Sequence, residues 1–187
     1  MNTHETTDRS IEDHIKASQR NSVSLQLARV AATQRDHLAL KYQDRTWTYT
    51  KFNQAVTVAA VRLRELGLHH GDRVAVMGKN SDTFLILFFA AARAGLVHVP
   101  INFALTGPEL HYLISDSEAS VLIADDEYLE AVESITDSTP LDQIVAMSSL
   151  VEHIQTVLEN TPALTAALAE KDLDPAEETD LVQLLYT

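Results

Sequence analysis

The chain of 187 residues contains no cysteine, only five glycines and five prolines, and no long apolar run. The lack of cysteine excludes disulfide scaffolds, thiolate zinc sites, iron–sulfur centres and cysteine nucleophiles, and it favours a reducing compartment. The longest apolar run, residues 84–92, is about half as long as a membrane span requires. Residues 1–13 are polar and lack the apolar core of a secretion signal. We therefore expect a cytoplasmic protein without a membrane span.

Basic side chains are also scarce, and they are distributed unevenly. The net charge is −13, and residues 111–187 hold 17 acidic side chains but a single basic one, Lys171. A surface of this sign repels phosphate backbones, so we expect no nucleic-acid partner. Charge runs of this kind usually face water and maintain solubility. A docking surface for a basic partner is the alternative.

Short apolar runs that alternate with amphipathic segments are present after residue 40. The runs are rich in β-branched residues, which is typical of strands buried on both faces of a parallel sheet. The first four start about two dozen residues apart, enough for a helical crossover between parallel strands. The sequence therefore predicts an α/β fold, a parallel βαβ sheet with flanking helices. The five predicted strands are residues 73–77, 96–101, 120–124, 143–147 and 181–186.

Capping residues and glycines indicate where the intervening helices begin and end. Pro108 suits a first helical turn, and a hydroxyl followed three residues later by a glutamate predicts a capping box there. The central helix between the first two strands is apolar on nearly all sides, which predicts deep burial. The predicted boundary residues are Gly67 after the first helix, Asn80 or Ser81 before the second, Gly95 after it, and Thr106 with Glu109 at the third.

The N-terminal region precedes the βα alternation. Residues 1–9 are expected to be disordered. Residues 10–34 predict a helix with apolar positions at helical spacing. Residues 38–42 and 46–48 flank a short polar stretch at a spacing that suits a β-hairpin.

The region from 148 to 180 departs from the alternation. It holds a helical pattern at 150–158, followed by acidic, proline-punctuated sequence. This composition predicts a surface excursion. Residues 10–187 are otherwise expected to form one α/β unit that is incomplete at its C-terminal end.

Two short motifs resemble binding sites, but each has a simpler structural explanation. Gly71 and Gly78 resemble a phosphate loop, but six residues separate them instead of four, and Asn80 replaces the serine or threonine that would hold magnesium. The residues between the glycines are better interpreted as the strand itself. The acidic residues 125–127 are predicted to occupy the first turn of a helix, where the helix dipole favours negative charge.

The histidines offer no catalytic pattern either. His69 and His70 are adjacent, and neighbouring side chains in a turn diverge, so we interpret them as loop residues rather than metal ligands. His98 lies within an apolar strand pattern and is predicted to be a core or strand-end histidine with its hydrogen bonds satisfied, rather than a catalyst. No Gly-x-Ser-x-Gly nucleophile elbow occurs in the chain. Composition and spacing alone therefore predict an α/β domain with a parallel sheet, and they identify no active site.

A series of short motifs follows in a fixed order over residues 25–135. It comprises Thr46-Trp-Thr-Tyr49, Gly67-Leu68, Gly71-Asp-Arg-Val-Ala-Val76, Asn80-Ser81, Arg93-Ala-Gly95, Val99-Pro-Ile-Asn102, Leu105-Thr-Gly-Pro-Glu-Leu110, Ile114-Ser-Asp-Ser117 and Val121-Leu-Ile123. This order resembles the N-terminal part of the adenylate-forming superfamily, which includes acyl-CoA synthetases, luciferases and peptide-synthetase adenylation domains. The resemblance implies the opening subdomain of the large N-terminal domain of such an enzyme.

The resemblance extends to residues 180–187. They are similar to the strand that, in this family, leads into a Ser/Thr/Gly-rich phosphate loop ending in Pro-Lys-Gly. Thr187 then occupies the first position of that loop and is the one nucleotide-site residue that the resemblance carries over. No catalytic residue and no metal ligand is carried over.

The resemblance implies a specific reaction for the complete enzyme. A carboxylic acid, with a fatty acid as the favoured substrate, would react with ATP and Mg²⁺ to give an acyl-adenylate and pyrophosphate, and CoA would then take the acyl group as a thioester. The phosphate loop and the catalytic lysine of the family are not among the motifs found here. The isolated chain is therefore expected to be inactive and to bind none of these ligands tightly.

A non-catalytic, acidic α/β interaction module is the alternative from a different functional class. Residues 181–186 weigh against this alternative, because they form a buried-type apolar run at the end of the sequence. Strands and helices that lack later neighbours expose apolar surface, which predicts self-association of the chain.

Overall fold

The alternation of apolar runs and amphipathic segments produces a parallel sheet with helices on both faces. The computed structural model describes residues 22–160 and 173–187. Its elements, in chain order, are α1 (Val23–Thr33), β1 (Leu38–Tyr42), β2 (Arg45–Thr48), α2 (Tyr49–Glu65), β3 (Arg73–Met77), α3 (Asp82–Arg93), β4 (Val97–Ile101), α4 (Gly107–Ser117), β5 (Val121–Ala124), α5 (Leu129–Glu133), β6 (Gln143–Ala146) and α6 (Met147–Asn160). Residues 1–9, which are predicted to be disordered, lie outside the described residues. The first part of the helix predicted over 10–34 also lies outside them.

Four of the five predicted strands pair in the order β4-β3-β5-β6, and all pairs are parallel. Val76 on β3 stands opposite Pro100 on β4 and opposite Ile123 on β5. Pro100 lacks an N–H group, which fits a place near the edge of a sheet. The predicted α/β fold with a parallel sheet is confirmed.

Alternate residues of each strand enter two separate cores, because successive side chains point to opposite faces. Val74, Val76 and Ile123 join the core formed with α1, α2, α3 and α6. Ala75 and Leu122 join the core formed with α4 and neighbouring elements on the other face. Burial on both faces explains why these strands are apolar without alternation.

The helix boundaries follow most of the predicted signals. Ser81 caps α3, since its hydroxyl accepts a hydrogen bond from the backbone N–H of Phe84 at 3.1 Å. Gly67 and Gly95 follow α2 and α3 in the left-handed region, with φ of +89° and +68°. Thr106 stands at the N-cap of α4, but its side chain makes no capping hydrogen bond.

The capping box predicted at Thr106 is therefore wrong. An N-cap hydroxyl accepts from the N–H of the second or third helical residue. Pro108 is the second residue of α4 and has no N–H to donate, and the N–H of the third residue, Glu109, makes no hydrogen bond with the Thr106 hydroxyl. The fixed φ of this proline fits the first helical turn without the hydroxyl.

Arg93 at the end of α3 ties three helices together from a buried position. Its Nε donates to Ser24 Oγ on α1 at 3.2 Å, and its Nη1 donates to Thr57 Oγ1 on α2 at 2.8 Å. Its Nη2 donates to Asn53 Oδ1 at 2.8 Å. All of these acceptors are neutral, and burial lowers the pKa of Arg93 to about 10.

The β1–β2 hairpin is anchored to the start of α3 by a buried carboxylate. Asp82 accepts from Trp47 Nε1 at 2.8 Å and from Arg45 at 2.5 Å, and its side chain is inaccessible to solvent. Gln43, in the two-residue turn between the strands, has a φ of +50°. The predicted hairpin is confirmed, and its turn uses a left-handed residue that is not glycine.

The helix predicted over residues 150–158 is confirmed as part of α6, whose Met147, Leu150 and Ile154 are buried in the core beside α2. Residues 161–172 of the predicted excursion lie outside the described residues. The run 181–186 forms no regular strand and makes one parallel bridge, between Gln183 and His98. Within the two described ranges, no helix is long and apolar enough to cross a membrane.

Candidate functional site

The carboxyl ends of the four parallel strands form one edge of the sheet, which we term the carboxyl edge (Met77, Ile101, Ala124 and Ala146). From β3 the chain passes through α3 to β4 on one side. From β5 it passes to β6 on the other side. The chain thus diverges between β3 and β5, the position at which open α/β sheets form ligand crevices.

The crevice between β3 and β5 is closed by a contact between its own loops. Asp125, directly after β5, accepts a hydrogen bond from the backbone N–H of Lys79 at 2.9 Å. A Cβ on Gly78 would lie 2.8 Å from Asp125 Oδ2, so a larger residue would push this carboxylate away. The strand interpretation of the region between Gly71 and Gly78 is confirmed, because β3 occupies residues 73–77.

The remaining charges of the crevice also pair within the chain. Lys79 Nζ lies 2.8 Å from Glu127 Oε1, and this hydrogen bond raises the pKa of Lys79 and lowers that of Glu127. Both side chains are more than half exposed, so water and salt weaken the pair. Asp126 accepts from Ser148 Oγ at 2.9 Å. The predicted first helical turn at 125–127 is a 3₁₀ turn over Asp126–Tyr128 that leads into α5.

An aromatic pair lies next to this crevice. Phe103, which follows β4, stacks on Tyr128 with ring centroids 5.7 Å apart. Lys79 Nζ lies 6.0 Å from the centroid of the Tyr128 ring. Phe103 is 43% exposed, so the carboxyl edge presents an aromatic face to solvent.

Residues 173–187, which we term the 173–187 segment, run along the outer side of β4. The N–H of His98 donates to the carbonyl of Val182, and the N–H of Leu184 donates to the carbonyl of His98, each at 3.0 Å. These bonds direct the segment toward the carboxyl edge, and Thr187 at its end is exposed. The only predicted site residue is therefore accessible.

Two side chains add to the attachment of this segment. Tyr186 donates its hydroxyl to Asp116 Oδ2 on α4 at 2.8 Å. Desolvation, followed by this contact, raises the pKa of Tyr186 to about 12. Gln183 Nε2 lies 3.2 Å from His98 Nδ1.

His98 is a core residue, as predicted, but only one of its ring nitrogens has a hydrogen-bond partner. It is 1% exposed, and its Nε2 makes no hydrogen bond within the described residues. The ring sits edge-on to Phe84 and Phe88, with centroid distances of 5.5 and 5.7 Å. Burial lowers the pKa of His98 to about 4. The ring is therefore neutral at physiological pH.

His69 and His70 are loop residues, as predicted. His69 is largely exposed and lies near Asp72. His70, however, contacts Asp174 and Asp180 of the 173–187 segment, which sequence reasoning missed because these partners lie more than 100 residues away. Over the part of the chain that the structure describes, no group of three histidines or acidic residues could hold a metal ion.

Comparison with known proteins identifies the family of the chain. A family model described as "AMP-binding enzyme" matches residues 27–187. The chain belongs to this family. The resemblance expected over residues 25–135 and 180–187 is thereby confirmed.

The relatives are enzymes that join acids to thiols. Feruloyl-CoA synthase of Amycolatopsis is 40% identical over 97 residues, which cover 52% of this chain and 20% of that protein. Fatty acid–[acyl-carrier-protein] ligase ScoC of Streptomyces coeruleorubidus is 36% identical over 109 residues, which cover 58% and 21%. The chain thus spans about a fifth of the length of these curated relatives.

A solved structure supports the same assignment. The fatty acyl-CoA synthetase of Mycobacterium tuberculosis superposes with a TM-score of 0.76 at 28% sequence identity. The match covers 89% of this chain and 32% of that chain. The fold of the described residues is that of the N-terminal region of an AMP-binding enzyme.

Proposed function

We propose that this AMP-binding chain is the opening part of an ATP-dependent acid–thiol ligase, an acyl-CoA synthetase of fatty-acid metabolism. The family match that continues to Thr187 carries this proposal. In the complete enzyme a carboxylate oxygen attacks the α-phosphorus of ATP and pyrophosphate leaves. A thiolate sulfur then attacks the acyl carbon and AMP leaves.

Thr187 is the proposed entry to the phosphate loop of that enzyme. The direction of the 173–187 segment toward the carboxyl edge supports this role. Phosphate loops bind through successive backbone N–H groups after a strand, and these groups stabilise the charge that develops during phosphoryl transfer. The Mg²⁺ expected with ATP has no candidate ligand set in the described ranges, and we assign it to none of their residues.

The names of the relatives bear on which acid and which thiol the complete enzyme uses. The relatives are named for a fatty acid and ferulate as acids, and for CoA and a carrier protein as acceptors. We propose a fatty acid and CoA, with the reducing cytoplasm as the compartment because the chain has no cysteine. The 187-residue chain alone is proposed to be inactive.

ATP–pyrophosphate exchange tests the proposed reaction. The open reading frame that encodes these 187 residues tests whether they are part of a longer protein. The experiment compares the 187-residue chain with the product of the whole reading frame, using fatty and aromatic acids in parallel. We expect exchange only from the longer product, and thioester formation with CoA rather than with a carrier protein. Exchange by the 187-residue chain would refute its inactivity, whereas a stop codon after Thr187 would support the interaction module instead.

A pair of variants in the longer product tests Thr187. Thr187→Ala removes the hydroxyl, whereas Thr187→Ser keeps it and serves as the matched control. If the hydroxyl contacts a phosphate, alanine weakens ATP binding by roughly ten- to a hundredfold and serine does not, since one hydrogen bond to a charged group is worth about 1.5–3 kcal/mol. Equal ATP binding by both variants would remove Thr187 from the site.

A further inference from the structure

His70 bridges two parts of the chain that are far apart in sequence. It lies in the turn before β3, and its ring contacts the 173–187 segment through both nitrogens. Nδ1 is 3.1 Å from the carbonyl oxygen and 3.1 Å from the carboxylate of Asp174. Nε2 is 3.2 Å from the carboxylate of Asp180. One ring therefore contacts three oxygens on two residues of the segment.

The chemistry of these oxygens favours the protonated form of the ring. A carbonyl and two ionised carboxylates accept hydrogen bonds but donate none. A neutral imidazole carries one N–H and one lone pair, so one of its nitrogens would face an acceptor with a lone pair. The imidazolium form carries two N–H groups and a positive charge, which suits the oxygens on both sides. The contacts therefore favour a proton on each nitrogen.

The backbone of Gly95 packs closely against the ring and the start of the segment. Gly95 has a φ of +68°, and a Cβ there would clash with the Asp174 carbonyl oxygen and the His70 ring. The N–H of Gly71 donates to the carbonyl of Gly95 at 2.7 Å, and the N–H of Ala176 donates to the carbonyl of Ala92 at 2.9 Å. The His70 ring and the start of the segment thus pack directly on the end of α3.

We propose that His70 is a positioning residue that holds the 173–187 segment against β4 only while its imidazole is protonated. Asp174 and Asp180 are its partners in this contact. The segment leads to Thr187, so release of His70 would loosen the approach to the nucleotide site. That last consequence rests on the proposed function, whereas the proton-dependent contact does not.

The other charged groups around the ring favour the same protonation state. Asp72, in the same turn, is engaged by the backbone N–H of His69 at 2.6 Å. Arg73, a cation at the start of β3, pairs with Glu118 at 3.4 Å. The segment contributes further carboxylates beside the two partners. The charged and titratable groups on the neighbouring elements are His69, Asp72, Arg73, Asp174, Glu177, Glu178 and Asp180.

The direction of the pH effect follows from these contacts. The backbone hydrogen bond to Asp174 is the largest cause that raises the pKa of His70, burial opposes it, and the charges of Asp174 and Asp180 add to it. A histidine whose pKa is raised on docking stabilises the docked state below its ordinary pKa of about 6.5. This contribution is lost as the pH rises through the raised value. The segment should therefore be held most firmly in mild acid.

Residue-level amide hydrogen exchange of the 187-residue chain tests the proposal directly. The N–H groups of Ala176 and Leu184 are the reporters, because both donate across the contact, to Ala92 and His98. Protection factors, corrected for intrinsic exchange, are compared at about pH 6 and about pH 8.5, on either side of the histidine range. Protection at both amides should fall with pH by about tenfold for each unit by which docking raises the pKa of His70.

Two variants and one matched control distinguish a proton-dependent contact from ordinary packing. His70→Gln should give low protection at Ala176 that no longer changes between the two pH values. Asp180→Asn keeps an acceptor but removes the charge, and it should reduce the pH dependence without abolishing the fold. His69→Gln changes the adjacent, largely exposed histidine and should behave like the wild type.

Three results would overturn the proposal. These are a wild-type protection that does not change with pH, a pH dependence that persists in His70→Gln, or one that disappears in His69→Gln. All three concern exchange in the chain itself and need no enzymatic activity. Absence of pyrophosphate exchange in the longer product would refute the proposed function and leave this result unchanged.

Discussion

Replacement of His98 by leucine should make the protein less sensitive to acid. His98 is 1% exposed, and its ring lies between two phenylalanine side chains of α3. Burial lowers the pKa of this imidazole to about 4. Leucine has a similar volume and suits the apolar surroundings, but it cannot bind a proton. The substitution therefore removes one titration and keeps most of the packing.

The magnitude follows from the difference between the folded and unfolded pKa values of His98. The unfolded chain binds the proton near pH 6.5, whereas the folded chain resists it until about pH 4. Between these values the unfolded state holds more protons, so the free energy of unfolding falls as the pH falls. The loss assigned to His98 is about 2 kcal/mol at about pH 5 and about 3 kcal/mol at about pH 4.

Urea unfolding at about pH 7 and about pH 5 measures this effect. Trp47 is the single tryptophan and packs edge-on to Phe52 in the core region, so its fluorescence reports unfolding, with far-ultraviolet circular dichroism as a second probe. Between these two pH values, His98→Leu should lose about 2 kcal/mol less stability than the wild type. His69→Gln is the control and should follow the wild type. An equal loss in His98→Leu and the wild type would refute the assignment of acid sensitivity to His98.

Three further substitutions test other contacts. Gln43→Gly should raise the free energy of unfolding by about 0.5–1 kcal/mol, because glycine adopts the positive φ of this turn without Cβ strain; a decrease in thermal stability would contradict this. Asp82→Ala should cost about 2 kcal/mol and shift the Trp47 emission to longer wavelength, because the indole N–H loses its buried acceptor, and an unchanged spectrum would argue against the bond. Arg93→Met should lower the free energy of unfolding, measured in urea, by about 2–3 kcal/mol, because several hydrogen bonds from a buried guanidinium are lost. This value allows for the desolvation cost of the guanidinium, which the substitution removes. An unchanged free energy of unfolding would mean that the desolvation cost cancels these bonds.

Local signals in the sequence were sufficient for most of the elements. The strands β3, β4, β5 and β6 were predicted because burial on both faces requires a continuous apolar run, which is visible in any window of five residues. The ends of α2 and α3 were predicted because Gly67 and Gly95 occupy positions that need a positive φ. These features depend only on neighbours along the chain.

Features that depend on distant residues were not predictable in the same way. The run 181–186 is apolar enough for a strand, but a strand also needs continuous hydrogen bonding to a neighbour. The run makes a single bridge to β4, at Gln183. The burial of His98 could be predicted from its strand pattern, whereas the lack of a partner for Nε2 depends on how two phenylalanines of α3 pack. The contact of His70 with Asp174 spans 104 residues, so no spacing rule predicts it.

The 173–187 segment contacts residues that lie far earlier in the chain. These long separations affect how the protein folds during its synthesis. His98 and Gln183 are 85 residues apart, and Asp116 and Tyr186 are 70 residues apart. The ribosome delivers the early elements first, and non-local contacts form late because closing long loops costs entropy. The outer side of β4 therefore stays open while most of the second half is translated. An open strand edge pairs readily with other chains, so slow translation before residue 181 would lengthen the time during which this edge of the nascent chain is available for misassembly.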